Sequence, residues 1–411
     1  MSLNATPRSE RVHIALFGKR NAGKSSVINA ITNQQLSIVS NIEGTTTDPV
    51  YKSIEILPIG PCVIIDTAGL DDVGELGDLR RHKTLEVLDK TDIALIVADS
   101  TKGITKYDKE IICEVKKKKI PLMVLMNKID EKNLEIKEID TIKRELECEV
   151  IPVSAVTKAG IIEVKEKISF LIPQDKENLK LLEGLVEPKD VVVLVTPIDT
   201  GAPKGRMILP QQQVIRELLD SDAIVMVTKE NTLTETLNSL KEKPKLVITD
   251  SQAFSKVSEI VPRDIKLTGF SIVFARYKGE LTELIRGVKV LEKLKDGDKI
   301  LISEACTHHR QEDDIGAVKI PKWIKEITGK NLDFHHSSGG TFTKEVKEYS
   351  LIVHCGACMI NRKAMLKRIE DAKAYEVPIV NYGILIAYIN GMLDRALEPF
   401  PDAKNIYEKT E

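Results

Sequence analysis

The stretch Gly18–Ser25 reads GKRNAGKS and stands between an apolar run, Val12–Phe17, and a segment of helical composition, Ser26–Thr32. It matches the pattern G-x-x-x-x-G-K-S in the strand-to-helix setting that this pattern requires. Its glycines let backbone N–H groups turn inward around a phosphate, and the N-terminus of the following helix adds partial positive charge. The stretch therefore predicts a phosphate-binding P-loop in a domain of the α/β class.

The side chains of this loop have distinct expected roles. Lys24 should reach the β- and γ-phosphates of a nucleotide, and the Ser25 hydroxyl should ligate Mg²⁺. The loop residues predicted to contact the nucleotide are Gly18, Asn21, Ala22, Gly23, Lys24, Ser25 and Ser26.

A second buried strand is predicted at residues 61–65, and it ends in the sequence Asp66-Thr67-Ala68-Gly69. The Asp66 carboxylate can hold the magnesium shell, and the Gly69 N–H can sense a γ-phosphate. Between the two motifs, residues 43–48 read EGTTTD without hydrophobic periodicity, which is typical of a loop. The Thr46 hydroxyl is expected to complete the magnesium shell. The predicted catalytic group is therefore Lys24, Thr46, Asp66 and Gly69.

The residues that would recognise the base come further along the chain. A predicted strand, Leu122–Met126, leads into Asn127-Lys128-Ile129-Asp130. The Asp130 carboxylate can accept hydrogen bonds from guanine N1–H and its exocyclic amine, and such a site rejects an analogue lacking them by about 10⁴-fold. The backbone N–H groups of Ser154 and Ala155 are expected to meet guanine O6. The predicted nucleotide is GTP, and the predicted base-side residues are Asn127, Lys128, Asp130, Ser154 and Ala155.

These five elements, in this order, resemble the Ras-like translation-factor class of GTPases, and their form resembles its bacterial tRNA-modification and ribosome-assembly branch. In potassium-activated members of that branch, an asparagine at the position of Asn21 ligates K⁺ beside the phosphates. The alternative is that Asn21 merely fills a variable position. Leu70 stands where Ras-like proteins carry a water-orienting glutamine. Hydrolysis is therefore expected to be slow, on the order of 10⁻⁴ to 10⁻² per second.

The rest of the chain repeats a simpler α/β pattern. A linker of proline and charged residues follows residue 172, and strand-like runs then alternate with helical ones. We predict a GTPase domain at residues 1–172 and two smaller Rossmann-like α/β domains at residues 173–265 and 266–411.

The last domain carries a set of soft metal ligands. Cys306-Thr307-His308 follows a predicted strand at residues 299–303, and His354-Cys355-Gly356-Ala357-Cys358 follows another at residues 350–353. Both groups thus lie at the carboxyl edge of an open sheet, where ligands bind. A helix predicted from Met359 to Ile369 would point its positive end at the thiolates, which favours an anionic centre.

Two kinds of metal centre fit such ligands. Structural zinc takes four ligands from a set of this kind. Iron–sulfur clusters normally take four thiolates, whereas only Cys306, Cys355 and Cys358 stand close in this motif, which would leave one iron of a cubane with a different ligand. His308 and His354 are candidates for that position.

The pairing of the GTPase elements with Cys306-x-His308 and His354-Cys355-x-x-Cys358 resembles the HydF family, the maturation GTPases of iron-iron hydrogenases. The resemblance covers the whole chain. It implies a 4Fe-4S cluster held by three cysteines, a dimerisation domain at residues 173–265, and a homodimer. It also implies a scaffold that receives a two-iron precursor made with the radical-SAM proteins HydE and HydG and passes it to apo-hydrogenase.

The composition argues against nucleic-acid-binding, membrane-associated and secreted proteins. Sixty basic and sixty-two acidic residues give a formal charge of −2, which is no footprint for nucleic acid or an anionic membrane. The first residues lack the apolar core of a signal peptide, and the uncharged run Val377–Leu393 is interpreted as a buried strand followed by a helix. We therefore expect a cytoplasmic protein. The competing hypothesis is a ribosome-assembly or RNA-modification GTPase with a zinc module, but aromatic residues for stacking on bases are only 4% of the chain.

Overall fold

The computed structural model describes residues 7–32, 49–56, 60–67, 77–172, 180–198, 207–305, 314–339, 342, 344–357 and 360–409. The chain divides into two compact units, Met1–Asn178 and Leu179–Glu411. Among the helices in these ranges, none is both long and apolar enough to cross a bilayer.

The N-terminal unit is built on a six-stranded sheet of order β2-β3-β1-β4-β5-β6, in which only β2 runs antiparallel to its neighbour. Its strands are β1 (Val12–Phe17), β2 (Val50–Ile56), β3 (Gly60–Asp66), β4 (Ile93–Asp99), β5 (Leu122–Asn127) and β6 (Glu149–Pro152). Its helices are α1 (Lys24–Thr32), α2 (Gly77–Leu88), α3 (Lys106–Lys117), α4 (Ile136–Leu146) and α5 (Ile161–Leu171), with a 3₁₀ turn at Arg8–Glu10.

Strand β1 shows why this sheet is buried on both faces. Ile14 and Leu16 point into a core that includes residues of α1 and α5, whereas Ala15 and Phe17 point into a core on the opposite face that includes residues of α3. Parallel strands covered on both faces read as continuous apolar runs. The polar motifs therefore appear where the strands end, at the carboxyl edge.

The C-terminal unit contains two four-stranded, fully parallel sheets, of order β10-β9-β7-β8 and β12-β11-β13-β14. The first sheet comprises β7 (Val191–Val195), β8 (Ile224–Thr228), β9 (Leu246–Thr249) and β10 (Lys266–Gly269). The second comprises β11 (Lys299–Glu304), β12 (Asp333–Ser338), β13 (Leu351–His354) and β14 (Ile379–Asn381). Both sheets place their first strand between the second and the third, so each has a topological switch point there.

The helices of this unit cover those sheets. They are α6 (Leu209–Asp220), α7 (Leu233–Ser239), α8 (Phe254–Ile260), α9 (Phe270–Lys278), α10 (Leu281–Lys289), α11 (Ile320–Thr328), α12 (Arg362–Ala374), α13 (Tyr382–Ile389), α14 (Leu393–Ala396) and α15 (Pro401–Glu408). Short 3₁₀ turns lie at Glu230–Thr232, Val290–Lys293 and Lys344–Glu348, and a π-helical turn lies at Ile315–Lys319. The predicted strand and helix within residues 377–393 are confirmed as β14 and α13.

The two sheets of the C-terminal unit share one hydrophobic core. The Arg395 guanidinium, beyond the second sheet, donates to the carbonyl oxygens of Ser258, Val261 and Pro262, beside the first. Strand β10 pairs with β9, so the first sheet extends four residues past the boundary predicted at residue 265. The predicted α/β fold class is confirmed.

Candidate functional site

The P-loop backbone adopts conformations that explain its residue types. Gly18 has φ +143° and Gly23 has φ +91°, where side chains are strained, and a Cβ at Gly18 would overlap the Val97 carbonyl oxygen. Asn21 has φ +65°, a left-handed conformation that asparagine tolerates better than most residues. This backbone requirement is a second reason for asparagine at this position, beside the predicted K⁺ ligand.

The side chain of Lys24, the first residue of α1, reaches back to the start of the loop. Its Nζ donates to the carbonyl oxygens of Gly18 and Lys19, the latter at 3.0 Å. The ammonium group is thereby held on the inner side of the loop, where the phosphate of a nucleotide is expected.

Ser25 and Asp66 lie together at the carboxyl edge. The Ser25 hydroxyl donates to Asp66 Oδ2 at 3.0 Å. Asp66 is only 2% exposed, and its Oδ1 has no hydrogen-bond partner among the described residues. A buried carboxylate oxygen beside a hydroxyl suits a hard divalent cation such as Mg²⁺. Thr46, Gly69 and Leu70 lie outside the described residues.

Asn127 connects the base-side motif to the P-loop. Its Nδ2 donates to the Ala22 carbonyl oxygen at 2.9 Å, and its Oδ1 accepts from the Ala155 N–H at 3.1 Å. The side chain is 2% exposed. A Cβ at Gly23 would overlap Asn127 Nδ2, so the second glycine of the P-loop makes room for this amide. Asn127 therefore positions three loops at once.

Lys128 forms an ion pair that sequence analysis missed. Its Nζ lies 2.7 Å from Asp99 Oδ2, and Thr101 donates to Asp99 Oδ1. Burial alone would raise the pKa of Asp99, but the hydrogen bonds from Lys128 and Thr101 outweigh it and hold that pKa below its ordinary value. The same hydrogen bond raises the pKa of Lys128. The available signal was the position of Asp99, which ends a strand at the carboxyl edge.

Of the other predicted base-side groups, the Asp130 carboxylate is accessible, whereas the backbone N–H groups of Ser154 and Ala155 already donate hydrogen bonds. The Asp130 side chain is exposed, so its carboxylate is accessible for the predicted contact with guanine. The Ser154 N–H donates to the Ala159 carbonyl oxygen at 3.1 Å, and the Ala155 N–H donates to Asn127. Both N–H groups already donate within the protein. For the predicted contact, one of them must donate to guanine O6 and to its present acceptor at the same time.

The thiolate motif lies at the switch point of the second sheet of the C-terminal unit. Ser303 at the end of β11 pairs in register with His354 at the end of β13. The Cys355 N–H donates to the Ser303 carbonyl oxygen at 2.9 Å, and the Ala305 N–H donates to Cys355 Sγ at 3.2 Å. Ala305 directly precedes Cys306 in the sequence, so this contact places the residue before that cysteine against the Cys355 thiol.

Other residues of the motif lie outside the described part of the chain, namely Cys306, His308 and Cys358. Within the described ranges, no three His, Cys, Asp or Glu side chains gather as a metal site would require. The following helix, α12, begins at Arg362 instead of the predicted Met359, because Asn361 caps it by accepting from the Ala364 N–H at 3.0 Å.

His354 has both ring nitrogens engaged in the protein. Nδ1 lies 2.7 Å from the Cys355 carbonyl oxygen, and Nε2 lies 2.9 Å from Arg368 Nη1. Because a guanidinium can only donate, Nε2 must accept and Nδ1 must carry the proton. Burial first and the Arg368 charge second lower the pKa of His354 to about 3. This geometry leaves neither nitrogen directed at a metal and disfavours His354 as a ligand.

Family models match most of the chain. A 50S ribosome-binding GTPase model matches residues 13–128. The hydrogen maturase F dimerization domain matches residues 181–279, and the hydrogen maturase F tetramerization domain matches residues 282–399. Together the two maturase models cover more than half of the chain. The chain belongs to the hydrogen maturase F (HydF) family.

Similar proteins of other families are GTPases. The tRNA modification GTPase MnmE from Desulforamulus reducens is 34% identical over 168 residues, which are 41% of this chain and 36% of MnmE. GTPase Der from Nitratiruptor is 30% identical over 224 residues, 49% of this chain and 48% of Der. This HydF chain thus spans between a third and a half of these relatives.

Among solved structures, Era from Aquifex aeolicus bound to GDP·AlF4⁻ aligns at 21% identity with a TM-score of 0.35, covering 53% of this chain and 92% of Era.

Proposed function

We propose that this HydF chain is a GTP-hydrolysing scaffold that binds a 4Fe-4S cluster and carries a two-iron precursor to apo iron-iron hydrogenase. The observation that carries the proposal is the N–H···S contact from Ala305 to Cys355, at the switch point of a sheet in a chain of the maturase family. It draws the residue before Cys306 against the first thiol of the C-x-x-C pair.

The GTPase part would act through the residues of the carboxyl edge. Lys24 would neutralise charge on the β- and γ-phosphates, and Ser25, Asp66 and Thr46 would hold Mg²⁺. Gly69 would sense the γ-phosphate. Because Leu70 cannot orient a water molecule, turnover would be slow and would serve as a timer. Asn21 would bind the K⁺ ion that stimulates hydrolysis.

In the C-terminal unit, Cys306, Cys355 and Cys358 would be the cluster ligands. Three thiolates leave one iron of the cluster to take another ligand, and that iron is where a precursor made with HydE and HydG would attach. The Ala305 N–H would donate to the Cys355 sulfur, a contact that tunes such centres. Thiolates remain reduced in the cytoplasm, where we place the protein.

A homodimer would form through the edge of the first sheet in this unit. Strand β8 is a terminal strand, and its Ile224 and Val227 side chains are 52% and 49% exposed. An exposed apolar edge is a template for pairing with another strand. A Val227→Glu substitution should yield monomers in light scattering, and Ile162→Glu, an exposed apolar site in the N-terminal unit, should not. Unchanged mass in both variants would remove β8 from the interface.

Anaerobic reconstitution with iron and sulfide tests the cluster. The wild-type chain should bind about four irons with matching sulfide and give a cluster EPR signal after reduction with dithionite. Cys355→Ser should lose the cluster while GTP hydrolysis continues, and Cys113→Ser, an exposed thiol on α3, should change neither property. A colourless protein with one zinc, no iron and salt-sensitive RNA binding would favour the ribosome-assembly alternative instead.

A further inference from the structure

Arg368 is a buried cation near Cys355, at the carboxyl edge of the second sheet of the C-terminal unit, and sequence analysis did not single it out. It lies on α12 and is 5% exposed. Its Nη1 lies 2.9 Å from His354 Nε2 and 3.3 Å from Ser303 Oγ, and its Nη2 donates to the Gly339 carbonyl oxygen at 2.7 Å. The guanidinium also stacks over the Phe342 ring at 5.5 Å. The ends of three neighbouring strands thus build its pocket.

The groups that line this pocket hold the positively charged guanidinium in one position. Arginine stays protonated in proteins, and burying its guanidinium is costly unless the group is well hydrogen-bonded. Ser303 is the penultimate residue of β11, Gly339 follows β12 and His354 ends β13, so the charge is held at the carboxyl edge. These three acceptors are neutral groups that orient the guanidinium.

The same edge carries the thiol of Cys355, the residue after His354. Burial lowers the pKa of Arg368, and the negative charge of Cys355 acts in the opposite direction, as does Asp371. Asp371 is itself 2.5 Å from Lys367 Nζ. Arg368 contacts His354, the residue directly before Cys355, so the positive charge of the guanidinium would attract a thiolate at Cys355.

We propose that Arg368 compensates the negative charge of the thiolate-bound cluster and raises its reduction potential, and that His354 orients Arg368 instead of binding iron. The inference rests on the proposed cluster function. Reduction adds one electron to an already anionic centre, so a fixed positive charge nearby favours the reduced form. His354 acts through its Nε2, which accepts from Arg368, and through Nδ1, which donates to the Cys355 carbonyl oxygen.

The test is an EPR-monitored redox titration of reconstituted protein, with dithionite as the reductant. In Arg368→Gln, the ratio of reduced to oxidised cluster at a fixed ambient potential should fall about tenfold, equal to about 59 mV for a one-electron couple. Arg368→Lys keeps the charge and should shift the ratio less. Lys373→Gln removes an exposed charge from the same helix, and it should leave the ratio unchanged because solvent and salt screen that site.

Further variants separate orientation from folding. Ser303→Ala removes one acceptor of Arg368 and should lower the ratio by a smaller factor. His354→Gln can still accept from Arg368 and donate to Cys355, so it should keep the wild-type ratio. These two variants carry the test if Arg368→Gln does not fold, as judged by its melting temperature.

The outcomes distinguish the two proposals. A wild-type chain without iron would overturn the cluster function itself. A wild-type cluster whose potential is unchanged in Arg368→Gln, or in Ser303→Ala if the first variant does not fold, would overturn the role of Arg368. A nitrogen hyperfine coupling in pulsed EPR that disappears in His354→Gln would show that His354 binds iron, and would overturn its orienting role.

Discussion

Asn127 Nδ2 donates to the carbonyl oxygen of Ala22 at 2.9 Å, across 105 positions of sequence. A side chain of the predicted base-side motif thus holds the backbone of the P-loop. Its Oδ1 accepts from Ala155, which ties a third loop to the same amide. The phosphate and base halves of the candidate site are therefore connected through this one side chain.

Replacing Asn127 by alanine should weaken binding of a fluorescent GDP analogue about 10- to 100-fold. The substitution leaves buried partners of the amide without a hydrogen bond, at a cost of about 1 to 3 kcal/mol. Asn133→Ala, at an exposed position six residues along the chain, is the control and should bind normally. Equal affinities in the two variants would contradict this connection.

Replacing Asp130 by asparagine should exchange base specificity. An amide can accept from N1–H and donate to the C2 carbonyl oxygen of xanthine, but it cannot accept two hydrogen bonds from guanine. Competition binding should show weaker GDP and tighter XDP than for the wild type. Retained preference for GDP would place base recognition elsewhere.

Replacing Asn21 by glycine should separate the backbone role of this residue from the proposed K⁺ ligand. Glycine accepts the φ of +65° without strain but brings no side-chain oxygen. Hydrolysis rates in KCl and NaCl, measured at saturating GTP, should differ for the wild type and converge for the variant. A wild-type rate that is equal in both salts would remove the K⁺ role.

The Asp99–Lys128 pair predicts a pH dependence of stability. The pKa of Asp99 is lower in the folded protein than the ordinary value of 3.8, so the unfolded chain binds more protons in acid. The stabilisation is fully present above the unfolded pKa and is lost as pH falls through the folded one. The free energy of unfolding of the N-terminal unit, measured with urea, should fall more steeply below about pH 5 in the wild type than in Asp99→Asn. Asp140→Asn, an exposed site, should behave as the wild type does.

Replacing Gly287 by alanine should destabilise the C-terminal unit. Helix α10 packs so closely on β14 that a Cβ at this position would overlap the carbonyl oxygen of Ile379. Overpacking against backbone costs about 1 to 3 kcal/mol and should lower the melting temperature. Arg286→Ala on the exposed side of the same helix removes only a surface ion pair and should cost less than about 1 kcal/mol.

Several elements of the fold and of the candidate sites can be predicted from short stretches of sequence. The P-loop, the strand ending in Asp66 and the apolar strands before Cys306 and His354 are contiguous in sequence, so hydrophobic runs and turn residues predict them directly. The start of α12 was misplaced because the capping side chain of Asn361 sets it. The start of a helix is set by its N-cap residue, and the extent of the apolar pattern alone does not reveal that residue.

The sequence alone therefore determined the α/β class, and it predicts the nucleotide site and the thiolate motif, since each of their motifs is a contiguous stretch of sequence. Only the tertiary structure decided that Asp99 pairs with Lys128 and that Asn127 ties the P-loop. It also decided that His354 faces Arg368 with both nitrogens engaged. These contacts join residues at the carboxyl edges of the sheets to loops and helices that are distant in sequence, and Ser303 and Arg368 are 65 positions apart. Strand order and register bring them together, and neither can be read from the spacing of residues along one strand.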